Sequence, residues 1–214
     1  MKLGTVAASL GGASAASAAA VGGYHYILKK DTSISIRDAL KESKLISSLP
    51  SESLVKQWQE EFKSDQENIK NSISILKDAS TPEEGGRRLG EWCSSQMDLD
   101  SKEHSSIFEL VKKYCLVRDL SSQLKRNKKS VLGKDQESEW KAVYQQRKTQ
   151  QSTRADVGIT DATWPSNNDK DAEELLVIQA WCEKTEKEEF LASDNNSKYD
   201  KLLKWCTVDG KTAN

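Results

Sequence analysis

Trp92-Cys93, Tyr114-Cys115-Leu116-Val117, Trp181-Cys182 and Trp205-Cys206-Thr207-Val208 decide how this chain reads. All four cysteines stand directly behind a large aromatic residue, which chance placement of 4 Cys in a chain with 6 Trp and 5 Tyr would rarely give. They form two couples. Cys93 and Cys115 are 22 residues apart and Cys182 and Cys206 are 24 apart, and each second cysteine is followed two residues later by Val117 or Val208. The pattern is that of a duplication.

Working outward, Phe108, Val111, Tyr114, Cys115 and Val117 align with Tyr199, Leu202, Trp205, Cys206 and Val208. Apolar residues at this spacing lie on one face of a helix. The helix before it has its own start signal. Thr81-Pro82-Glu83-Glu84 offers a capping hydroxyl, a proline at the first helical position and acidic residues in the first turn. Asp171-Ala172-Glu173-Glu174 gives an equivalent acidic start, and Leu89 and Ile178 hold the same position three residues before Trp92 and Trp181. Gly85-Gly86 should weaken the first of these helices and let its early turns fray. Further upstream, Leu54, Trp58 and Phe62 are spaced as one helical face, continued by Ile69, Ile73 and Leu76, and Trp140 with Tyr144 repeats the Trp-x-x-x-aromatic device.

The expected fold is therefore mostly α, with two tandem related three-helix units behind an N-terminal apolar segment. The boundaries read as 1–30 for a signal-anchor or transmembrane segment, 31–50 for a stalk, 51–122 for unit 1, 123–130 for a basic linker and 131–214 for unit 2. Trp58, Trp92, Tyr114, Trp140, Trp181 and Trp205 are the aromatic anchors of the repeat. The second unit carries an extra run, Thr149 to Asn168, which reads as a loop insertion. The linker run Lys125-Arg126-Asn127-Lys128-Lys129 reads as a solvated helix end, surrounded by acidic residues, and not as a phosphate-binding surface.

Composition agrees. Of 214 residues 30% are charged and 36% hydrophobic, mean hydropathy is −0.71, and the net charge is −1, so the core is thin. Lys, Glu, Gln, Ser and Leu dominate and proline is scarce, which favours helix. A near-neutral balance argues against a nucleic-acid partner.

Residues 3–28 carry no Asp, Glu, Lys or Arg and are rich in Ala, Gly and Ser. At about 1.5 Å per residue this run is long enough to cross a hydrocarbon core of roughly 30 Å. Tyr24 and Tyr26 stand at the interfacial level, and Lys2 and Lys29-Lys30 flank it. The apolar run continues past the small-residue stretch Ser17-Ala18-Ala19-Ala20 that would suit cleavage, so an uncleaved anchor is favoured over a removed signal peptide or a flexible tail. The lysine count alone would hold the body in the cytoplasm. The cysteines argue for export.

For those cysteines the matched couples suggest one bridge per unit, Cys93 with Cys115 and Cys182 with Cys206, although four cysteines allow three pairings. Reduced core cysteines beside packed aromatics are the alternative. A zinc site of Cys93, His104 and Cys115 has no counterpart in the second unit and lacks the close cysteine spacing of structural zinc. No phosphate-cradling glycine loop and no metalloprotease or serine-nucleophile motif is present. Nothing points to catalytic residues, a cofactor or a metal.

Met1-Lys2-Leu3 with its Ala/Gly/Ser-rich run, the Lys29-Lys30 end, and Trp58, Trp92-Cys93 and Trp205-Cys206 resemble the large paralogous families of uncharacterised proteins of haemotropic mycoplasmas. That resemblance implies a wall-less bacterium living on red blood cells and members that are exported or surface-anchored and diversify against host immunity. It supplies no catalytic residues. The functional expectation is a membrane-anchored, exported interaction or antigenic surface protein without catalytic activity, held in the cell membrane by residues 1–30, its body extracellular and facing a host surface component. The competing expectation is a cytoplasm-facing, membrane-tethered helical scaffold with reduced cysteines.

Overall fold

A computed structural model describes residues 33–213. The apolar run read as an anchor lies outside the described residues. Among the described residues the chain is mostly helical and has no sheet. Among these described residues nine α-helices follow in order: α1 Ile36–Ala39, α2 Ser51–Ser64, α3 Gln66–Ser72, α4 Pro82–Gln96, α5 Ser105–Tyr114, α6 Leu120–Arg126, α7 Glu137–Thr149, α8 Asp171–Thr185 and α9 Ser197–Cys206. None of them is long and apolar enough to cross a membrane.

Local chemistry sets several of these ends. The Thr81 hydroxyl accepts from the Glu84 amide at 3.2 Å and Pro82 occupies the first turn of α4, as the sequence predicts. Ser35 caps α1 and Asp119 caps α6 in the same way, each accepting from an amide three residues on. The Leu54, Trp58, Phe62 face splits into α2 and α3 at Asp65, and Ile73 and Leu76 leave the helix but stay buried. Besides the three expected helices of each region, α1, α3 and α6 are present.

Two hydrophobic clusters form the interior. The first gathers Ile36, Leu40, Ile46, Leu49, Trp58, Phe62, Leu89, Cys93, Val111, Tyr114 and Cys115. The second gathers Leu120, Leu124, Leu132, Trp140, Val143, Tyr144, Val157, Trp164, Ile178, Cys182, Leu202, Trp205 and Cys206. The segment expected to be a stalk thus feeds the first cluster through Ile36, Leu40, Ile46 and Leu49. The region expected to be a basic linker overlaps α6, whose Leu124 is fully buried. The run expected to be a loop insertion lays Arg154, Val157 and Trp164 into the second core. In each case the apolar residues are too sparse to show a period, and burial comes from partners distant in sequence.

Single backbone bridges hold those distant partners, satisfying amides and carbonyls that no helix serves. In the first region Ser35 bridges Asp100 and Leu45 bridges Leu116, with the Ile36 amide donating to the Leu99 carbonyl at 2.9 Å and the Ile46 amide to the Cys115 carbonyl at 2.9 Å. In the second, Asp119 bridges Glu189 and Val131 bridges Thr207, with the Leu120 amide donating to Glu188 at 2.9 Å and the Leu132 amide to Cys206 at 2.8 Å.

The glycines expected to loosen α4 instead let it meet α2 backbone to backbone. A β-carbon on Gly85 would fall 2.3 Å from the Phe62 ring, and one on Gly86 would fall 2.7 Å from the Trp58 carbonyl carbon and the Gln59 nitrogen. Both glycines are buried and α4 is helical from Pro82. Their conformational cost of about 0.5–1 kcal/mol each is offset by close packing that larger residues would block.

Candidate functional site

Three places hold the chemistry-bearing side chains. The first is the pair of stapled corners. Cys93, three residues before the end of α4, is bonded to Cys115 at the end of α5, and Cys182 of α8 to Cys206 of α9, each with α-carbons 5.8 Å apart. All four sulfurs are buried and no free cysteine remains. A set of Cys93, His104 and Cys115 therefore has no thiolate to offer zinc, and no group of three or more metal-binding side chains occurs among the described residues.

The aromatic anchors surround these corners. Trp92 and Trp181 are partly buried, one against each cluster, while Tyr114, Trp140 and Trp205 lie inside. The Tyr114 hydroxyl donates to Asp65 Oδ2 at 3.0 Å, and burial raises its phenol above the usual range. Trp205 stacks on Trp164 with centroids 6.2 Å apart, and the Tyr144 ring meets Trp164 edge-on at 5.5 Å. Behind them Arg154 pairs with Glu174, which also accepts from the Tyr144 hydroxyl at 2.7 Å. Burial first, and then the Glu174 carboxylate, push the Tyr144 phenol upward. This network turns inward and is engaged by its own neighbours, so it organises the core.

The second place is the junction between clusters. Glu61 of α2 is fully buried and pairs with Arg118 and with Arg126 Nη1, the latter at 2.6 Å. Gln57, one turn earlier, donates to the Phe190 carbonyl at 3.2 Å and accepts from the Ala192 amide at 2.8 Å. Arg118 lies over the Phe190 ring and Arg126 over the Tyr114 ring. Burial, and then the like charge of Arg126, pull Arg118 below the ordinary arginine range. Of these residues only Tyr114 was a candidate from sequence, and Arg126 was read there as part of a solvated basic run. The signal was present in Gln57 and Glu61, which are one helical turn apart and flank Trp58 and Phe62 on the edge of the apolar stripe.

The third is a groove of about 860 Å³ between α2 and α4. Leu54, Val55, Trp58 and Gly90 line its apolar part, and Glu83, Arg87 and Glu91 its charged edge. Arg87 and Glu91 neutralise each other at 2.6 Å. Glu83 has no ion-pair partner among the described residues. Such a shape, apolar with a few polar groups, suits binding and offers no nucleophile and base in contact. Of the six aromatic anchors, only Trp58 opens onto it. No protein-family model, curated protein or solved structure matches this chain.

Proposed function

We propose that this chain is an exported, membrane-anchored surface protein that acts by interaction, its body made of two copies of one disulfide-stapled helical unit. The observation that carries the reading is the closure of every described cysteine into two buried bridges, one within each hydrophobic cluster. Bridges of this kind persist in oxidising surroundings. By the loop-entropy model each stabilises its cluster by about 3 kcal/mol, which matters where cores are small.

The duplication is supported by the matching backbone ties of the two regions and by the shared order of cap, bridge, Trp helix and stapled pair. On that reading each copy begins at its capping residue, Ser35 or Asp119, and not at Pro50 or the basic run. Residues 1–30 serve as the tether.

Protease shaving of intact cells tests the display, with cleavage of the body expected in unbroken cells. Alkylation of native protein, with and without reductant, tests the redox side and should label thiols only after reduction. A protected body with free thiols ends the proposal and leaves a cytoplasm-facing scaffold.

A further inference from the structure

We propose that the cleft between the end of α7, the short helical turn Arg154–Val157 and α9 binds a small oxyanion, a carboxylate or a phosphate, as the counter-charge of Arg147. The other buried arginines show why. Arg118 and Arg126 share the Glu61 carboxylate, and Arg154 pairs with Glu174. Arg147 is 1% exposed and meets no carboxylate among the described residues. Its Nη2 donates to the Gly210 carbonyl at 2.9 Å and to the Ala213 carbonyl.

Carbonyl dipoles orient a guanidinium but leave its charge in place. Both carbonyls bond the same nitrogen, so the buried Nε–H has no acceptor among the described residues. Burial alone lowers the pKa of Arg147, with no acidic neighbour to oppose it. A cation held out of water gains most from an anion that arrives with oxygens to accept its protons, and carboxylates and phosphates are the groups a guanidinium fits.

The cleft holds about 450 Å³, with Arg147 on its wall, room for a small acid or a phosphate. Its remaining charges offset one another. Lys201 pairs with Asp156 at 2.8 Å, and burial raises the pKa of Asp200 while Lys204 draws it back. Arg147 is therefore the charge left over. Ser152, Thr153 and Ser197 bring hydroxyls to the same cleft, donors for the further lone pairs of an oxyanion. The site stands apart from the surface role proposed above, and its assay does not depend on which membrane face carries the body.

The test uses the full chain in detergent micelles with ¹⁵N-labelled arginine. Sodium acetate and sodium phosphate are the probes, each titrated at fixed ionic strength against sodium fluoride. The Arg147 Nε resonance, identified by its loss in Arg147→Met, or in Arg147→Lys where the methionine variant does not fold, should move along a saturating curve while those of Arg118 and Arg154 stay. Saturation at lower acetate than phosphate assigns a carboxylate ligand, and the reverse order assigns a phosphate. Ser197→Glu, at an exposed position in the first turn of α9, sets a fixed negative charge at the cleft and should weaken binding about tenfold or more. No movement at millimolar anion, an unsaturated drift shared by all three arginines, or unchanged binding by Ser197→Glu overturns the proposal. So does movement that appears only after residue 214 is deleted, since the chain's own last residue would then hold the site.

Discussion

Glu61 Oε1 and Arg126 Nη1 meet at 2.6 Å across the junction of the two clusters, with Arg118 on the other oxygen of the same carboxylate. One acidic side chain of α2 therefore bridges two guanidiniums brought by the segment that opens the second cluster, and the trio keeps one net positive charge. Removing it leaves both buried without a counter-charge, a loss of about 3–5 kcal/mol where burial is this complete. Glu61→Ala should lower the denaturant midpoint by that amount and split the unfolding transition in two. The triple variant Glu61→Met, Arg118→Met, Arg126→Met should recover most of the loss, because apolar replacements carry no desolvation penalty. If Glu61→Ala stays within about 1 kcal/mol of the parent, the junction is held by Gln57 and Phe190 instead.

Each disulfide should stabilise its own cluster more than its neighbour. The double variant Cys93→Ala, Cys115→Ala opens a loop with sequence separation 22 and should cost about 3 kcal/mol. Amide exchange should accelerate in α4 and α5 and change little in α8 and α9. Exchange that rises equally in both regions would mean that the clusters unfold as one unit.

Helix positions and stapled pairs were legible because their signals are local. Thr81-Pro82 caps α4 whatever surrounds it, and Val111, Tyr114, Leu202 and Trp205 share faces set by helical geometry alone. The rest depends on contacts that no period encodes. Ile36 and Leu40 look like scattered aliphatics until Ser35 pairs with Asp100, more than sixty residues away. Glu61 reads as a solvated charge among Glu60 and Lys63 until Arg118 and Arg126 arrive. Arg126 reads as one cation of a basic run, yet α6 turns it toward Lys113, Tyr114 and Ser64, away from its neighbour Lys125. The groove was invisible for a similar reason: Leu54, Val55 and Trp58 meet Gly90 only once α2 and α4 are packed together.

Gly86→Ala separates helix propensity from packing. In an isolated helix the change gains roughly 0.5–1 kcal/mol. Here the new methyl meets the α2 backbone at Trp58 and Gln59, which has no rotamer by which to yield. Net destabilisation of about 1–3 kcal/mol is expected, read by thermal or chemical unfolding. A stabilised variant would show that α2 and α4 move apart at low cost.

Asp100 offers a pH test with a defined sign. Its carboxylate accepts from the Ser33 hydroxyl at 2.6 Å and from the Glu103 and Lys102 amides at 2.8 Å each, and these bonds, Ser33 first, lower its pKa from 3.8 to about 2. A group depressed on folding contributes stability that is complete above its unfolded pKa and lost as pH falls through the folded value. The contribution is thus intact above about pH 4 and fades toward pH 2, where the link between α4 and α5 should loosen from residue 33. A ¹³C titration of the Asp100 carboxyl should give a midpoint near 2 in the parent. Ser33→Ala should shift it upward, toward the ordinary aspartate range, because the largest of the lowering contacts is gone. A midpoint already near 4 in the parent would show that Ser33 and the turn amides do not hold the ionised form, and the bridge between Ser35 and Asp100 would then owe nothing to pH.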